Sequence, residues 1–183
     1  MIPDHSSVTA LWNQYQLPEY KQNHSRLVAK LAVWFATELK KRDPACTINI
    51  PLLESAALLH DIDKMAPKQE GEHHPDAGVR ILRDAGYPEV ADIVRTHPLH
   101  AILDQTIAPK TWEQKLLFLS DKMVKHSIST VDERFALWRA EHLPPNAVSV
   151  LDASYPLVKG LEEDVCTRLG IRPEDAALLA NAA

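Results

Sequence analysis

The sequence has little of several features that would assign it to a familiar class of protein. Its 183 residues include only two cysteines, Cys46 and Cys166, which lie far apart and form no CxxC pair. This argues against a disulfide framework and favours a reducing cytoplasm. No apolar run reaches the ~18 residues that a membrane span requires. The N-terminus lacks a basic stretch followed by an apolar one, so we expect no signal peptide and no membrane partner.

Net charge, apolar content and histidine frequency indicate what kind of protein this is. The net charge is -5 and the pI is ≈ 6.0, so the chain lacks the basic footprint of a general nucleic-acid binder. Five glycines stand against nine histidines, and hydrophobic residues make up 45% of the chain. That apolar content is normal for a globular protein, and the length suffices for one domain with its own core. The frequency of histidine is a reason to look for a metal site.

Helical periodicity runs through most of the sequence, whereas strand signals are weak. Helices are predicted at roughly 7–16, 19–42, 51–64, 75–85, 88–98, 111–127, 130–142, 154–169 and 173–181. First-turn prolines and C-terminal glycines agree with these bounds, among them Pro51, Pro88, Gly86 and Gly170. Residues 99–110 and 142–146 are predicted loops. The chain is therefore predicted to be all-α, a single-domain orthogonal bundle of helices.

Five polar residues fall on or near the apolar faces of these predicted helices: His24, His60, Asp61, His97 and Asp121. One inward histidine alone is more often a hydrogen-bonded core residue, and one inward aspartate can cap a helix. Five of them from four helices would share a partner, because a buried carboxylate must be paired or bound to a metal. Imidazole and carboxylate without thiolate suit Fe, Mn, Ni, Co, Zn or Mg rather than a structural zinc site.

The order of these residues resembles a known family. His24, then residues 57–64 (ALLHDIDK), then Asp121 resemble the H…HD…D signature of the HD superfamily of metal-dependent phosphohydrolases. Asp63 stands where the family's ALLHDIGK stretch usually has glycine. Residues 74–78 (HPDAG) resemble the HPxxGxxIL segment of its two-metal branch. Residues 93–97 resemble the segment with its next histidine, and residues 119–122 (LSDK) its final (A/S)DK.

The resemblance implies a domain plan and a ligand set. It implies a single HD-type domain over 1–183, with a catalytic core at about 19–127 and a C-terminal helical addition at about 128–183. One or two divalent ions would bind. The first would be held by His24, His60, Asp61 and Asp121, and the second by His74, His97 and a bridging Asp61. His73 stays open as an alternative to His74, since both come just before Pro75.

The implied reaction is hydrolysis of a phosphate ester or anhydride by water that the metal activates. The substrate would be a nucleotide, a dinucleotide polyphosphate or another small phosphorylated metabolite. Asp61, Asp121 and Lys64 are the predicted catalytic residues, and Lys64 and His100 are the predicted substrate contacts. Lys64 has a second interpretation, as a cation that stabilises a helix C-terminus. His100 can equally be an ordinary loop histidine.

Two other functions stay open. The ligand set resembles that of the HD-type mixed-valent di-iron oxygenases, and a non-catalytic sensor domain that binds a nucleotide is the third candidate. The intact ligand set favours an enzyme over the sensor. A monomer and a homodimer both stay open. Elsewhere, His5, His126 and His142 are interpreted as surface residues, and residues 132–134 as the solvated first turn of a helix.

Overall fold

Helices make up the regular structure of this chain. The computed structural model describes residues 1–182; Ala183, the last residue of the predicted C-terminal addition, lies outside them. The described residues form a 3₁₀ helix (Leu99–Leu103) and the α-helices α1 (His5–Gln14), α2 (Glu19–Arg42), α3 (Ile50–Leu59), α4 (Asp76–Asp84), α5 (Pro88–Val94), α6 (Trp112–Asp121), α7 (Val131–Arg139), α8 (Pro145–Leu169) and α9 (Pro173–Ala182). Within this range no strand forms, and Val124 and Ile128 make an isolated antiparallel bridge. The predicted all-α fold is confirmed.

Local sequence explains where several helices begin and end. Asn49 caps α3 by accepting a hydrogen bond from the Leu52 amide at 3.1 Å. Thr111 and Thr130 form capping boxes at the starts of α6 and α7. Helix α8 ends at Gly170, which adopts the left-handed conformation (φ 61°) that glycine tolerates best. The predicted glycine cap is therefore present.

Helix α2 lies at the centre of a hydrophobic core that all parts of the domain share. It packs against α3, α6, α8 and α9. Its inward side chains are fully buried: Val28, Leu31, Ala32, Phe35 and Ala36. Burial of apolar surface is the main stabilising force of such a core, so α2 is a rigid support for the polar residues in its first two turns. Although α2 spans 24 residues, no helix within residues 1–182 is both long and apolar enough to cross a membrane.

Several predicted helix bounds differ from the structure. Helices α3, α5 and α6 end at Leu59, Val94 and Asp121, before the predicted ends at 64, 98 and 127. Helix α8 begins at Pro145 rather than near residue 154, and it contains Pro156. Its packing against α2, α6 and the 3₁₀ helix outweighs the helix-breaking tendency of that proline. The 3₁₀ helix itself lies in the predicted loop at 99–110.

The C-terminal helices cover the core rather than standing apart from it. Helix α7 packs against α8, and both α8 and α9 contact α2. The side chains of Val158, Val165 and Ala176 are fully buried there. The division of the chain near residue 127 stays a prediction.

Candidate metal centre

The predicted ligands meet where three helices end. Asp121 is the last residue of α6, His60 follows the last residue of α3, and His97 lies three residues beyond α5. His24 approaches from the second turn of α2, and His74 comes just before α4. Helix C-termini carry partial negative charge, so their convergence favours a cation.

Two of the histidines are oriented by the same kind of hydrogen bond, from Nδ1 to the backbone carbonyl three residues earlier. His60 Nδ1 lies 2.8 Å from the carbonyl oxygen of Ala57, and His97 Nδ1 lies 2.6 Å from that of Val94. A carbonyl oxygen can only accept, so each Nδ1 carries the hydrogen and donates it. Both carbonyls lie in the last turn of a helix, and that of Val94 also accepts the backbone N–H of His97 at 3.2 Å. The two Nδ1 hydrogen bonds leave the lone pair of each Nε2 available to a metal ion.

The first group of ligands surrounds His60. His24 Nε2 lies 3.0 Å from Asp121 Oδ1, and His60 Nε2 lies 3.5 Å from the same oxygen. His60 Nε2 is buried and has no hydrogen-bond partner among residues 1–182. Burial lowers the pKa of His60, but Asp61 and Asp121 more than offset this and raise it. Positive charge is therefore favoured beside His60 Nε2, and a divalent cation would supply it.

The second group contains two imidazoles that face each other. His74 Nδ1 lies 2.8 Å from Asp63 Oδ1, which accepts its hydrogen. His74 Nε2 and His97 Nε2 lie only 2.9 Å apart. With both Nδ1 atoms already donating, neither Nε2 of a neutral pair has a hydrogen to share. Burial and the neighbouring His74 and His60 hold the pKa of His97 well below its usual range. A cation that binds both Nε2 lone pairs would remove the repulsion between them.

Asp61 connects the two groups. Its Oδ2 faces His60 Nε2 at 3.8 Å. Its Oδ1 faces His74 Nε2 at 3.7 Å and His97 Nε2 at 4.0 Å. One carboxylate thus presents a different oxygen to each group of imidazoles, as a carboxylate that bridges two cations would.

Both ligand carboxylates are ionised and accompanied by lysines. Lys21 and Lys64 place Nζ at 2.9 and 3.3 Å from the oxygens of Asp61. Lys122 donates to Asp121 and, at 2.6 Å, to the carbonyl oxygen of His97. Burial raises the pKa of Asp61, yet His60 and Lys64 outweigh it and hold the pKa well below the usual range. Burial acts likewise on Asp121, whose pKa Lys122 and the adjacent histidines lower.

The donor set fits a divalent cation. His24, His60 and Asp121 can offer atoms that all lie within 4.8 Å of one another, and so can His60, Asp61 and His97. Neither cysteine takes part in these groups. Nitrogen and oxygen donors of this kind suit Fe, Mn, Co, Ni, Zn or Mg. The unpartnered Nε2 of His60 and the opposed Nε2 atoms of the second group are best satisfied by such ions.

The structure shows which of the remaining candidate residues lie at the ligand cluster and its cavity. His74 joins the cluster, whereas its neighbour His73 is exposed and outside it. Lys64 and His100 both line the cavity of about 530 Å³ that contains the ligands. His100 lies on the 3₁₀ helix and is exposed. All eight predicted site residues therefore lie around one cavity or directly beneath it.

Sequence reasoning missed four residues of this site. Lys21 lies three residues before His24, and Lys122 directly follows Asp121, so their spacing to the ligands was a usable signal. Asp63 was noted only as a replaced glycine, although it is fully buried and bonds His74. Arg134 was interpreted as part of a solvated turn, but it is half-buried and lines the cavity. Only tertiary packing brings Arg134 of α7 to the cavity wall.

Comparisons with known proteins show the family of this chain. The family model described as HD domain matches residues 22–142. The chain therefore belongs to the HD domain family, and this membership indicates metal-dependent phosphohydrolase activity in general. A curated relative, Ribonuclease Y of Aquifex aeolicus (strain VF5), is 36% identical over 87 residues. That match covers 45% of this chain and only 14% of the relative. No solved structure matches the chain.

Proposed function

We propose that this chain hydrolyses a phosphate ester or anhydride in a nucleotide, a dinucleotide polyphosphate or another small phosphorylated metabolite. The observation that carries the proposal is the arrangement around Asp61. Its two oxygens face two groups of imidazoles, and two lysines lie beside it. In the first group His60 Nε2 has no hydrogen-bond partner among residues 1–182, and in the second the Nε2 atoms of His74 and His97 oppose each other. His24, His60, Asp61 and Asp121 would hold a first ion, and His74, His97 and Asp61 a second. When bound, such ions supply Lewis-acid chemistry that acidifies water and polarises phosphoryl oxygens.

The residues of the chain itself would position the reactants. Asp121, ionised because its pKa is held low, would orient the attacking water by accepting a hydrogen bond rather than by removing its proton. Lys64, with about a third of its side chain exposed (32%), would neutralise the non-bridging oxygens of the phosphate. His100 at the cavity wall would contact the leaving group.

The cavity supports a small anionic substrate rather than a long polymer. Its volume of about 530 Å³ lies in the range of small-molecule sites. Lysine and histidine side chains line it, while the whole chain carries a net charge of -5. Tyr20, 68% exposed, stands at its wall and offers a face on which a base could stack. The relative's name describes it as a ribonuclease, which agrees with phosphate chemistry.

The inference about cellular location rests on the two cysteines. Cys46 and Cys166 are free thiols. We infer a cytoplasmic enzyme, since reduced cysteines persist in that compartment.

One experiment separates hydrolase, oxygenase and sensor. The protein is loaded with Mn²⁺ or Co²⁺ and incubated under nitrogen with an aryl phosphate and with nucleotides, and released phosphate is measured. A hydrolase releases phosphate without dioxygen, because Lewis-acid chemistry needs no redox change. Turnover that requires iron and dioxygen, with no phosphate released under nitrogen, would instead identify the oxygenase.

A third result identifies the sensor. Nucleotide binding by a protein with full metal content, but with no turnover under either gas, would overturn the enzyme assignment. Asp61→Asn serves as the inactive control, because it removes the negative charge between the two groups of imidazoles. His142→Ala is the matched control at an exposed loop histidine outside the cavity.

A further inference from the structure

Arg134 has more hydrogen-bonding capacity than the protein uses. Its Nε donates to the carbonyl oxygen of Val124 at 3.2 Å. Within residues 1–182 its guanidinium makes no other hydrogen bond and no salt bridge, and its Nη1 is buried without a partner. A guanidinium carries five N–H donors, so four of them remain free. A buried donor without a partner costs free energy, which a ligand can recover.

The guanidinium is held in place rather than free to reach solvent. Its Cζ lies 3.8 Å from the centre of the Trp138 ring, so the group stacks on the indole one turn further along α7. Together, the stack and the bond to Val124 fix the plane of the fork. A fixed, planar fork is suited to bind two oxygens of one phosphate at once.

Basic side chains share the wall of the cavity with Arg134. Lys125 and His126, from the segment between α6 and α7, line the same cavity. Lys125 is paired with Glu141 at 2.7 Å. Asp61 and Asp121 are the carboxylates that line the cavity, and both belong to the metal centre. Burial lowers the pKa of Arg134, and Asp121 is the strongest opposing charge, so Arg134 lies within electrostatic reach of the metal centre.

We propose that Arg134, with Lys125 and His126, forms a second phosphate subsite in the active-site cavity. It would bind a phosphate of the substrate other than the one attacked at the metal centre. The substrate class is then a compound with at least two linked phosphates, such as a nucleoside polyphosphate or a dinucleotide polyphosphate. A monophosphate ester would leave the subsite unused. This inference rests on the proposed function.

Binding of inorganic phosphates tests the subsite directly. Affinities of the Mn²⁺-loaded protein for tripolyphosphate and for orthophosphate are measured by calorimetry. We expect a clear preference for tripolyphosphate, which Arg134→Met reduces by about tenfold or more, since hydrogen bonds to a charged group are lost. Orthophosphate binding should not change. Met keeps an apolar stem against Trp138, so the packing of α7 is preserved.

The same helix provides a matched control. Arg139 also stacks on an aromatic ring, that of Tyr155 at 4.9 Å, but it lies outside the cavity. Arg139→Met should leave both affinities unchanged. An equal loss in Arg139→Met, or an Arg134→Met variant that keeps the preference for tripolyphosphate, overturns the subsite. If Arg134→Met does not fold, Arg134→Lys is used, because it keeps the charge and loses the fork; unchanged tripolyphosphate affinity in that variant also overturns it.

The outcomes distinguish the subsite from the proposed function. Hydrolysis of an aryl phosphate without any preference for tripolyphosphate would remove the subsite and leave the hydrolase. A preference for tripolyphosphate that depends on Arg134, in a protein that releases no phosphate from any substrate, would support the subsite and remove the hydrolase.

Discussion

Two cavities that share helix α2 differ in how their polar atoms are paired. The larger, about 670 Å³, lies among α1, α2 and α3 and includes Trp12 and Arg26. The smaller, about 530 Å³, contains the metal centre. In the larger cavity, Trp12 donates to the carbonyl oxygen of Leu58 at 3.0 Å, and Arg26 donates to Asn23 at 2.7 Å. Trp12 and Arg26 thus have partners within the protein, and no side-chain atom that lines this cavity is both buried and unpaired among residues 1–182.

The smaller cavity holds polar atoms that the protein leaves unsatisfied. His60 Nε2 and Arg134 Nη1 are buried without partners among residues 1–182. His74 Nε2 and His97 Nε2 face each other at 2.9 Å. Most buried polar groups in proteins are paired, so a concentration of unpaired ones indicates a ligand. Volume alone would favour the larger cavity, whereas the unpaired polar atoms favour the smaller one as the candidate site.

The largest expected effect is that of His60→Ala in the smaller cavity. The substitution should remove the bound metal and lower the free energy of unfolding by about 3–5 kcal/mol, because Asp61 and Asp121 lose their buried partner. Elemental analysis and denaturant unfolding measure the two effects. His5→Ala, at an exposed histidine of the larger cavity, should change neither quantity. Full metal content in the His60 variant would contradict the assignment of this ligand.

His74→Ala should separate the two ions. We expect a protein that binds two ions to bind one, because His97 and Asp61 alone hold the second weakly. The side chain of His74 is 24% exposed, whereas that of His97 is 2% exposed, so His74→Ala should affect stability less than His97→Ala. Metal titration of His73→Ala is the control. An ion lost from the His73 variant and kept in the His74 variant would reverse the choice between them.

Lys64→Ala should lower turnover without removing metal. Loss of one charged donor at a developing phosphate charge costs about a hundredfold in kcat. Steady-state kinetics and metal content are measured together, with Lys68→Ala as an exposed control four residues further along. Unchanged kcat would leave Lys64 as a cation that merely stabilises the end of α3.

In the larger cavity, Trp12→Phe should affect stability and not activity. It removes the donor to the Leu58 carbonyl and should lower the free energy of unfolding by about 1 kcal/mol. Trp34→Phe is the control, because Trp34 lines the same cavity and donates no hydrogen bond within residues 1–182. A loss of turnover in Trp12→Phe would mean that the two cavities are coupled.

The smallest effect concerns the cap of α1 beside the larger cavity. Asp4 accepts from the Ser7 amide at 2.8 Å, and the hydrogen bonds from Ser7 and Ser6 lower the pKa of Asp4 from 3.8 to about 2. A lowered pKa means that the stabilising contribution is present above about pH 4 and is lost as the pH falls toward about 2. Asp4→Ala should therefore lower the Tm slightly at pH 6, and less at pH 3. Asp4→Asn, which keeps the cap without a titrating group, should match the native Tm at pH 6, and its Tm should fall less than the native Tm between pH 6 and pH 3.

The sequence predicted which polar residues lie close together better than it predicted the helices that carry them. His60 and His97 were expected on helix faces, but both lie just beyond helix ends, where their imidazoles donate to carbonyls of the last turn. The apolar spacing predicts an inward direction in either case, because it continues through the last turn. A side-chain bond at a helix end leaves no such periodic signal, so the ends of α3 and α5 were placed too late.

The sequence by itself determined the helical class, the family and the order of the ligand residues, because periodicity and motif spacing are local properties. Only the tertiary structure decided that Asp61 presents one oxygen to each group of imidazoles and that His74, rather than His73, reaches His97. It alone brought Arg134 of α7 to the cavity. These relations join residues far apart in the chain, and packing against α2 and α8, not any local pattern, sets their distances.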